Sequence, residues 1–501
     1  MSSTRLSDNH PLAVLPTPRK VFLLFVFCFA QFLDSFNTAA LFSAIPPISA
    51  QVGLNNSESV WLNSSYRLTF ASFLLVSGRM SDLYSPKKIF LTGIFPICFL
   101  SIGLGFTRNK ELMLVLRALS GIGAALTIPS SLHLVVHMFP EPATQAKAVG
   151  AFGGSGALGN LLGVVIGALL VSFASWPWVY WTVALMAFAT GVTCTMLIPP
   201  HIEPREKVGS YSRFQRLDLF GASMLTTALI LFIFAVTSGS TDGWATATVL
   251  VPLFISVILF AGYFIWEAKI PEERASLPPR MWSYTNFAVL VPLALLPYSW
   301  WSTVYLLFSW WWQDVFYWSS IKSAIHFLPI ALFGFPCMAI SVALSRKFPA
   351  KRMLLAGLII QLIGTIFLPF GDSESRYWPV VFPGFMLGTA GTTIVFSSTN
   401  VAIFAITPPE VAGTVGAIFN CALQLGAATY SAIATSIQTS VQSSPTSYDG
   451  RAAGFEFLLA GVAVEALAVL VCFRQTRGFN QDTGIEERTE SEIELKEGDT
   501  A

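Results

Sequence analysis

The chain has 501 residues, 54% of them hydrophobic and only 11% charged. A composition this apolar cannot be buried inside a water-soluble globule and points to an integral membrane protein, while a net charge of +1 gives no basic field for a nucleic-acid partner. The six cysteines stand singly in apolar runs, without the paired spacing of a disulfide framework or metal knuckle, and read as small buried hydrophobes.

The first 19 residues are polar, and the apolar run after Lys20 is about 25 residues long, too long for a signal-peptide core. The first span is therefore expected to be retained. A bilayer core needs about 20 apolar residues per helix, which places spans near 20–44, 59–77, 88–106, 111–137, 145–172, 178–199, 217–238, 245–268, 286–309, 322–344, 352–370, 378–406, 411–438 and 452–473. No segment carries a strand pattern. The even count puts both termini on one side, and roughly 22 of the 29 Lys and Arg residues fall on that side, which makes it cytoplasmic by the positive-inside rule. Arg205, Lys207, Arg213 and Arg216 sit in one inner loop and Arg346, Lys347, Lys351 and Arg352 in another. On the outer side, Trp310 to Asp314 (WWWQD) and Trp318 stand where an aromatic belt would meet the headgroups.

The expected organisation is a cytoplasmic tail at 1–19, a six-helix bundle at 20–199, a basic loop at 200–216 and two linker helices at 217–268. A cytoplasmic loop at 269–285, a second six-helix bundle at 286–473 and an acidic, disordered tail at 474–501 complete it. Asn55 opens an N-x-S sequon in the first outer loop and is the expected glycosylation site; Asn63 opens another, too close to the membrane. TPPE, Thr407 to Glu410, has capping-box spacing, and Asp218 suits a helix N-terminus.

Between the second and third spans lies GRMSDLYSPKK, Gly78 to Lys88, whose lysines an ordinary positive-inside loop explains. The stretch also resembles the loop signature of the major facilitator superfamily. The neighbouring segments sharpen the resemblance: LDSFNTAALFSAIPPI in the first span, SVWLNSSYRLTFASFLLVSGRMSDLY in and after the second, LRALSGIGAALTIPSS in the fourth, GSGALGNLLGVVIGA in the fifth and LDLFGASML opening the seventh. With the span count, the chain resembles the fungal drug:proton antiporter-2 family, including aminotriazole- and boron-resistance-like members and exporters associated with secondary metabolism. The resemblance implies an all-α polytopic membrane protein of the major facilitator fold, with two six-helix bundles plus two linker helices, rocking about a midplane cavity. It also implies a gating loop made of Gly78, Arg79, Asp82, Lys87 and Lys88, and it matches Arg117 to the fourth-helix arginine linked to proton coupling. Four places depart from the pattern: Leu83 replaces a basic residue, Ser85 and Pro86 a glycine turn, Val164 a proline and Ala168 a glycine.

Within the fifth span Ser155, Gly159, Gly163 and Gly167 recur every four residues, a groove for close backbone approach that serves either static packing or a sliding, rocking surface. In the first span Gln31, Asp34, Ser35 and Thr38 share one polar face. A charge in hydrocarbon costs at least about 2.5 kcal/mol, so Asp34 needs water, a proton or an opposite charge. Arg67, at comparable depth in the second span, and Arg117 are the candidates. The trio is either a proton-coupling site or a structural ion pair. Asn420, Gln424, Trp300 and Trp301 are further cavity candidates, and Glu465 in the last span reads as structural. His133 and His137 form HLVVH, a two-ligand pattern that would need a third donor to hold metal.

The function expected is proton-coupled efflux of small organic compounds by alternating access. Uptake of a small polar or ionic nutrient is the alternative, and a membrane-bound metal enzyme or a non-transporting sensor the remote ones. No Walker lysine motif supports ATP-driven export. The expected partners are a small-molecule substrate, protons and the lipid bilayer, with no cofactor, no metal and a monomeric state. The expected location is the plasma membrane ahead of the vacuolar membrane.

Overall fold

The computed structural model describes residue 12 and residues 14–199, 218–271, 279–345, 347–407, 412–444 and 446–474. The basic residues Arg205, Lys207, Arg213, Arg216 and Arg346, the Pro408–Glu410 part of the TPPE cap and the acidic tail lie outside the described residues.

Among the described residues the ordered elements are helical. The first group is α1 (Thr17–Val52), α2 (Asn56–Ser59), α3 (Trp61–Leu83), α4 (Pro86–Phe106), α5 (Lys110–Met138), α6 (Pro142–Phe173) and α7 (Pro177–Leu197). A helical pair, α8 (Leu219–Asp242) and α9 (Ala247–Glu267), follows. The last group is α10 (Phe287–Leu293), α11 (Leu296–Trp310), α12 (Ser320–Ser345), α13 (Ala350–Phe367), α14 (Phe382–Ala405), α15 (Ala412–Val441) and α16 (Asp449–Cys472). Thirteen segments are long and apolar enough to cross a membrane, with α10 and α11 forming one crossing. The fourteenth is α3, 23 residues long, whose apolarity is lowered by Arg67, Arg79 and Asp82. This helix has the weakest membrane signal and carries charge essential to the site below.

Some boundaries move, for local reasons. The first helix continues through Pro46 and Pro47 to Val52 and stops at Gly53, whose φ of 78° is the left-handed cap glycine tolerates. The second span does not end at Ser77: α3 runs on through the GRMSDL residues, so the expected charged loop shrinks to Tyr84 and Ser85. In the ninth span Pro292 and Pro297 each remove a backbone donor, and the helix breaks around Leu295. The expected aromatic belt is also corrected. Trp310, Trp311 and Trp312 are each 2% exposed: Trp310 ends α11, and the next two open a π-helical turn at Trp311–Val315. There Trp312 packs on Phe308, Phe327 and Phe385.

Two bundles of six repeat one packing scheme. In the first, α1 lies along α6, α3 along α5, and α4 against both α5 and α7; in the second, α11 lies along α15, α12 along α14, and α13 against both α14 and α16. The α1–α6 seam explains the small-residue stripe. A Cβ on Gly163 would lie 2.9 Å from the Ala39 Cβ and 3.0 Å from the Phe36 carbonyl oxygen, and Gly159 and Gly167 meet Phe32 and Ala40 in the same register. Ser43 hydroxyl donates across the seam to the Val164 carbonyl at 3.3 Å.

The repeat extends to the helix ends. Lys87, in the first turn of α4, donates to the Thr195 carbonyl at 3.0 Å and to that of Ile198 at the end of α7. Lys351, in the first turn of α13, donates to the Leu470 and Phe473 carbonyls at 2.9 and 2.8 Å at the end of α16. A cation placed on the last, unpaired carbonyls complements the negative end of the helix dipole. Lys87 is therefore a helix cap, and Lys88 is exposed beside it.

Between the bundles, α3 packs on α15 and α6 on α12, with Cys421 thiol reaching the Ala71 carbonyl at 3.4 Å. The α8–α9 pair docks on α3 and α15. Asp218 caps α8 as expected: its Oδ1 accepts from the Gly221 N–H at 3.2 Å and from the Trp266 indole at 2.9 Å.

Two stability outcomes follow. Gly163→Leu forces atoms into the α1 backbone and is expected to cost about 1–3 kcal/mol, as overpacking does, lowering the melting temperature of detergent-purified protein. Lys351→Met is expected to lower it more than Lys347→Met does, because Lys347 sits nearby but exposed and caps no helix end.

Candidate functional site

The polar face of α1 meets α3 and α5 at mid-depth. Tyr66 and Arg67 are consecutive, so their side chains leave α3 about 100° apart and serve different spaces. Tyr66 hydroxyl donates to the Asp34 carboxylate. Arg117 is wholly buried, with its guanidinium 4.7 Å from the Tyr66 ring centroid. Its Nε donates to the Leu62 carbonyl at 2.8 Å and its Nη1 to the Asn37 side-chain oxygen at 3.1 Å. Among the described residues no ion pair joins Asp34 to either arginine. The sequence offers Arg67 or Arg117 as the direct partner; the geometry gives Asp34 a neutral hydroxyl and holds Arg117 one ring further away. A long guanidinium reaching carbonyl, amide and aromatic face offsets most of its burial without collapsing onto the acid, with Nη2 alone left unpartnered.

Arg67 turns the other way. With Asp34, Ser35 and Thr38 of α1 it lines a cavity of about 380 Å³, including its opening, whose opposite wall is Tyr298, Trp301, Ser302 and Tyr305 of α11 and Gln424 of α15. Asp34 also borders a separate pocket of about 260 Å³ shared with Asn37 and Tyr66, so one carboxyl group connects the Arg117 side to the Arg67 side. Asn160, Tyr298, Trp301 and Tyr305 are common to this cavity and to a larger space of about 650 Å³, including its opening, between α6, α11, α12 and α14. The bundles meet on the side away from the chain ends, where Ser309 donates to the Phe42 carbonyl at 3.0 Å and Phe42 stacks on Tyr305. Toward the side of the chain ends, Cβ atoms at Gly150, Gly153 and Gly154 would meet only open space.

The structure sorts the expected residues. Asp34, Arg67, Ser35, Thr38, Trp301 and Gln424 come together at the cavity. Gln31 sits against Gly156, on the rim of the larger space. Trp300 does not belong: it is fully buried, its indole donates to Thr365 at 2.9 Å, and its ring fills the space over Gly388. Asn420 donates to the Gly416 carbonyl of its own helix at 2.9 Å and lines neither cavity. Ser155 likewise bonds its own helix, at the Phe152 carbonyl. Gly78 faces Ala417 of α15 and Arg79 is half-buried near the end of α3; the Asp82 side chain lies outside the described residues. The His133 and His137 rings stack at 4.2 Å, with His137 Nδ1 2.9 Å from the His133 carbonyl oxygen. Asn55 is exposed, but its side-chain oxygen caps α2; its N–H, with Lys110 3.2 Å away, holds the Glu58 carboxyl below its usual range. Asn63 is buried.

Sequence reasoning missed Tyr66, Asn37, Asn160, Tyr298 and Tyr305. Asn37 was findable, one turn from Asp34 on the same face. The aromatic residues were not, since tyrosines in a greasy run carry no sign of which space they enter.

Residues 27–431 match the Major Facilitator Superfamily. The major facilitator superfamily multidrug transporter mfsC of Aspergillus fumigatus is 26% identical, over 88% of this chain and 85% of that protein. The low affinity ammonium transporter of Saccharomyces cerevisiae is 24% identical, again over 88% and 85%. Among solved structures a D-xylose-proton symporter superposes with a TM-score of 0.64 at 12% identity, covering 91% of this chain and 99% of that one. With two repeated six-helix bundles, a helical pair between them and a cavity where they meet, the chain belongs to the Major Facilitator Superfamily of membrane transporters.

Proposed function

We propose that the protein is a secondary active exporter of small organic compounds, coupled to protons through Asp34, rather than an enzyme. The observation that carries this reading is the cavity of about 380 Å³ at the junction of the bundles, with an acidic group on one wall and tyrosine and tryptophan rings on the other. Its lining, a carboxyl group and a guanidinium across from aromatic rings, suits an organic molecule rather than a bare ion. The named function of the Aspergillus relative supports the same reading. The name of the yeast relative supports uptake of a small ion as the second reading, as does α6, which lacks the antiporter proline and glycine at Val164 and Ala168.

In this mechanism the carboxyl group of Asp34 is neutral when protonated and loses most of its attraction for Tyr66, Arg67 and Arg117. One bundle orientation is then favoured over the other. The contacts at Phe42, Ser309 and Tyr305 close one side while the other stays open, one half of an alternating-access cycle. Residues 20–199 and 286–473 are the proposed moving units and 217–268 the linker. Both termini are placed in the cytoplasm, the protein is placed as a monomer in the plasma membrane, and Asn55 is the proposed glycan acceptor.

The test compares cells overexpressing the chain with cells lacking it, by profiling small organic compounds inside and outside. Specific compounds are expected to shift outward on overexpression, and the shift to lose its dependence on external pH in Asp34→Asn. Inward accumulation would favour the nutrient reading. A pH dependence unchanged in Asp34→Asn would remove Asp34 from coupling.

A further inference from the structure

The charges around the cavity do not balance. Along the helices that form the site, α1, α3, α5, α6, α11, α12, α14 and α15, the charged residues away from helix ends are Asp34, Arg67 and Arg117. Arginine stays protonated in proteins, so the centre holds two positive groups against one that is negative at most. Arg117 spends its Nε and Nη1 on Leu62 and Asn37 and its face on Tyr66; its Nη2 is buried without a partner, but the side chain does not line the cavity. Arg67 is only 7% exposed, and its Nε and Nη1 are buried without a hydrogen-bond partner while the side chain lines the cavity. A guanidinium in that condition is costly unless an anion arrives. The facing wall carries Ser302 and Gln424 beside its rings, and Tyr298 and Trp301 continue into the larger adjoining space with Phe396, where Tyr298 stacks on Phe396 at 6.2 Å and 12° and Trp301 closes the aromatic group at 6.0 and 6.3 Å.

We propose that Arg67 is the anion receptor of this cavity, and that the occupant is an amphipathic organic anion with a carboxylate-like head and a planar apolar body. The head takes a forked pair of hydrogen bonds from the guanidinium, a geometry that suits carboxylate. The body lies against Tyr298, Trp301 and Phe396. An organic cation would add a third positive charge to a centre already in excess, so it is rejected. The bound anion faces Asp34 as a like charge and favours its protonated form, which links ligand and proton occupancy. The groups facing Asp34 are Tyr66, Arg67, Arg117 and Tyr298, none of them acidic at neutral pH. Calling this ligand a substrate rests on the transport reading; the binding itself does not.

The experiment measures equilibrium binding of radiolabelled 2-naphthoate to the purified full chain, in competition with 2-naphthamide and 2-naphthylmethylammonium, which share the ring and differ in charge. Unlabelled 2-naphthoate is expected to displace the label at about tenfold lower concentration than the amide, with the ammonium weaker still. Arg67→Gln is expected to erase the preference and Arg67→Lys to keep part of it. Gln424→Glu, which puts a carboxylate on the same cavity wall, is expected to erase it as well, so the outcome does not hang on one variant's folding, which gel filtration checks. The proposal is overturned if 2-naphthoate fails to bind, if amide or ammonium competes equally, or if the preference survives in both Arg67→Gln and Gln424→Glu. Flux of 2-naphthoate into vesicles separates the two readings. Arg67-dependent binding without flux supports the receptor and counts against transport, whereas flux indifferent to Arg67 overturns the receptor and leaves transport standing.

Discussion

Burying ionised groups where neither water nor lipid headgroups can solvate them is the constraint on which this structure depends. Hydrocarbon penalises each such group by several kcal/mol, so Asp34, Arg67 and Arg117 dictate what surrounds them. Arg117 takes a carbonyl, an amide oxygen and an aromatic face. Asp34 takes a hydroxyl. Arg67 takes a cavity. The rest of the mid-depth architecture, from the polar face of α1 to the α11 aromatic wall, follows from placing these three.

That arrangement needs helices that pack tightly elsewhere. The α1–α6 seam holds the backbone carrying Asp34 against glycines that accept no side chain between them, which fixes its depth and rotation. The lysines at the starts of α4 and α13 tie each bundle's third helix to the end of its sixth. Such ties hold each bundle together from within, as the proposed tilting of one bundle against the other requires. The hydrogen bonds between bundles are often hydroxyl to carbonyl, as at Ser309 and Phe42. Bonds of that kind can be exchanged for water at modest cost.

The aromatic cluster around Trp312 shows how the second bundle differs from a simple copy of the first. A π-turn begins within a run of three buried tryptophans, and prolines break the same crossing at Leu295. The α11 segment between these two irregularities presents Tyr298, Trp301 and Tyr305 to the cavity. Irregular backbone within a membrane is tolerated where protein or a cavity surrounds it, and here it sets the angle of the aromatic wall.

The fold was largely legible in the sequence because lipid leaves few options: apolar runs of sufficient length become helices, and their count and the glycine spacing on α6 can be read directly. Asp34, Arg67 and Arg117 were legible for the same reason, as rare charges inside such runs. Which group each one faces was not. Tyr66 and Arg67 are neighbours in the chain that point about 100° apart, and Trp300 and Trp301 are neighbours of which one packs on Gly388 and one meets the cavity. Periodicity gives the relative angle between side chains on one helix, but the absolute rotation of that helix depends on every helix packed around it. The tertiary structure therefore decided that Asp34 bonds a tyrosine and that Arg67 lines the cavity between the bundles.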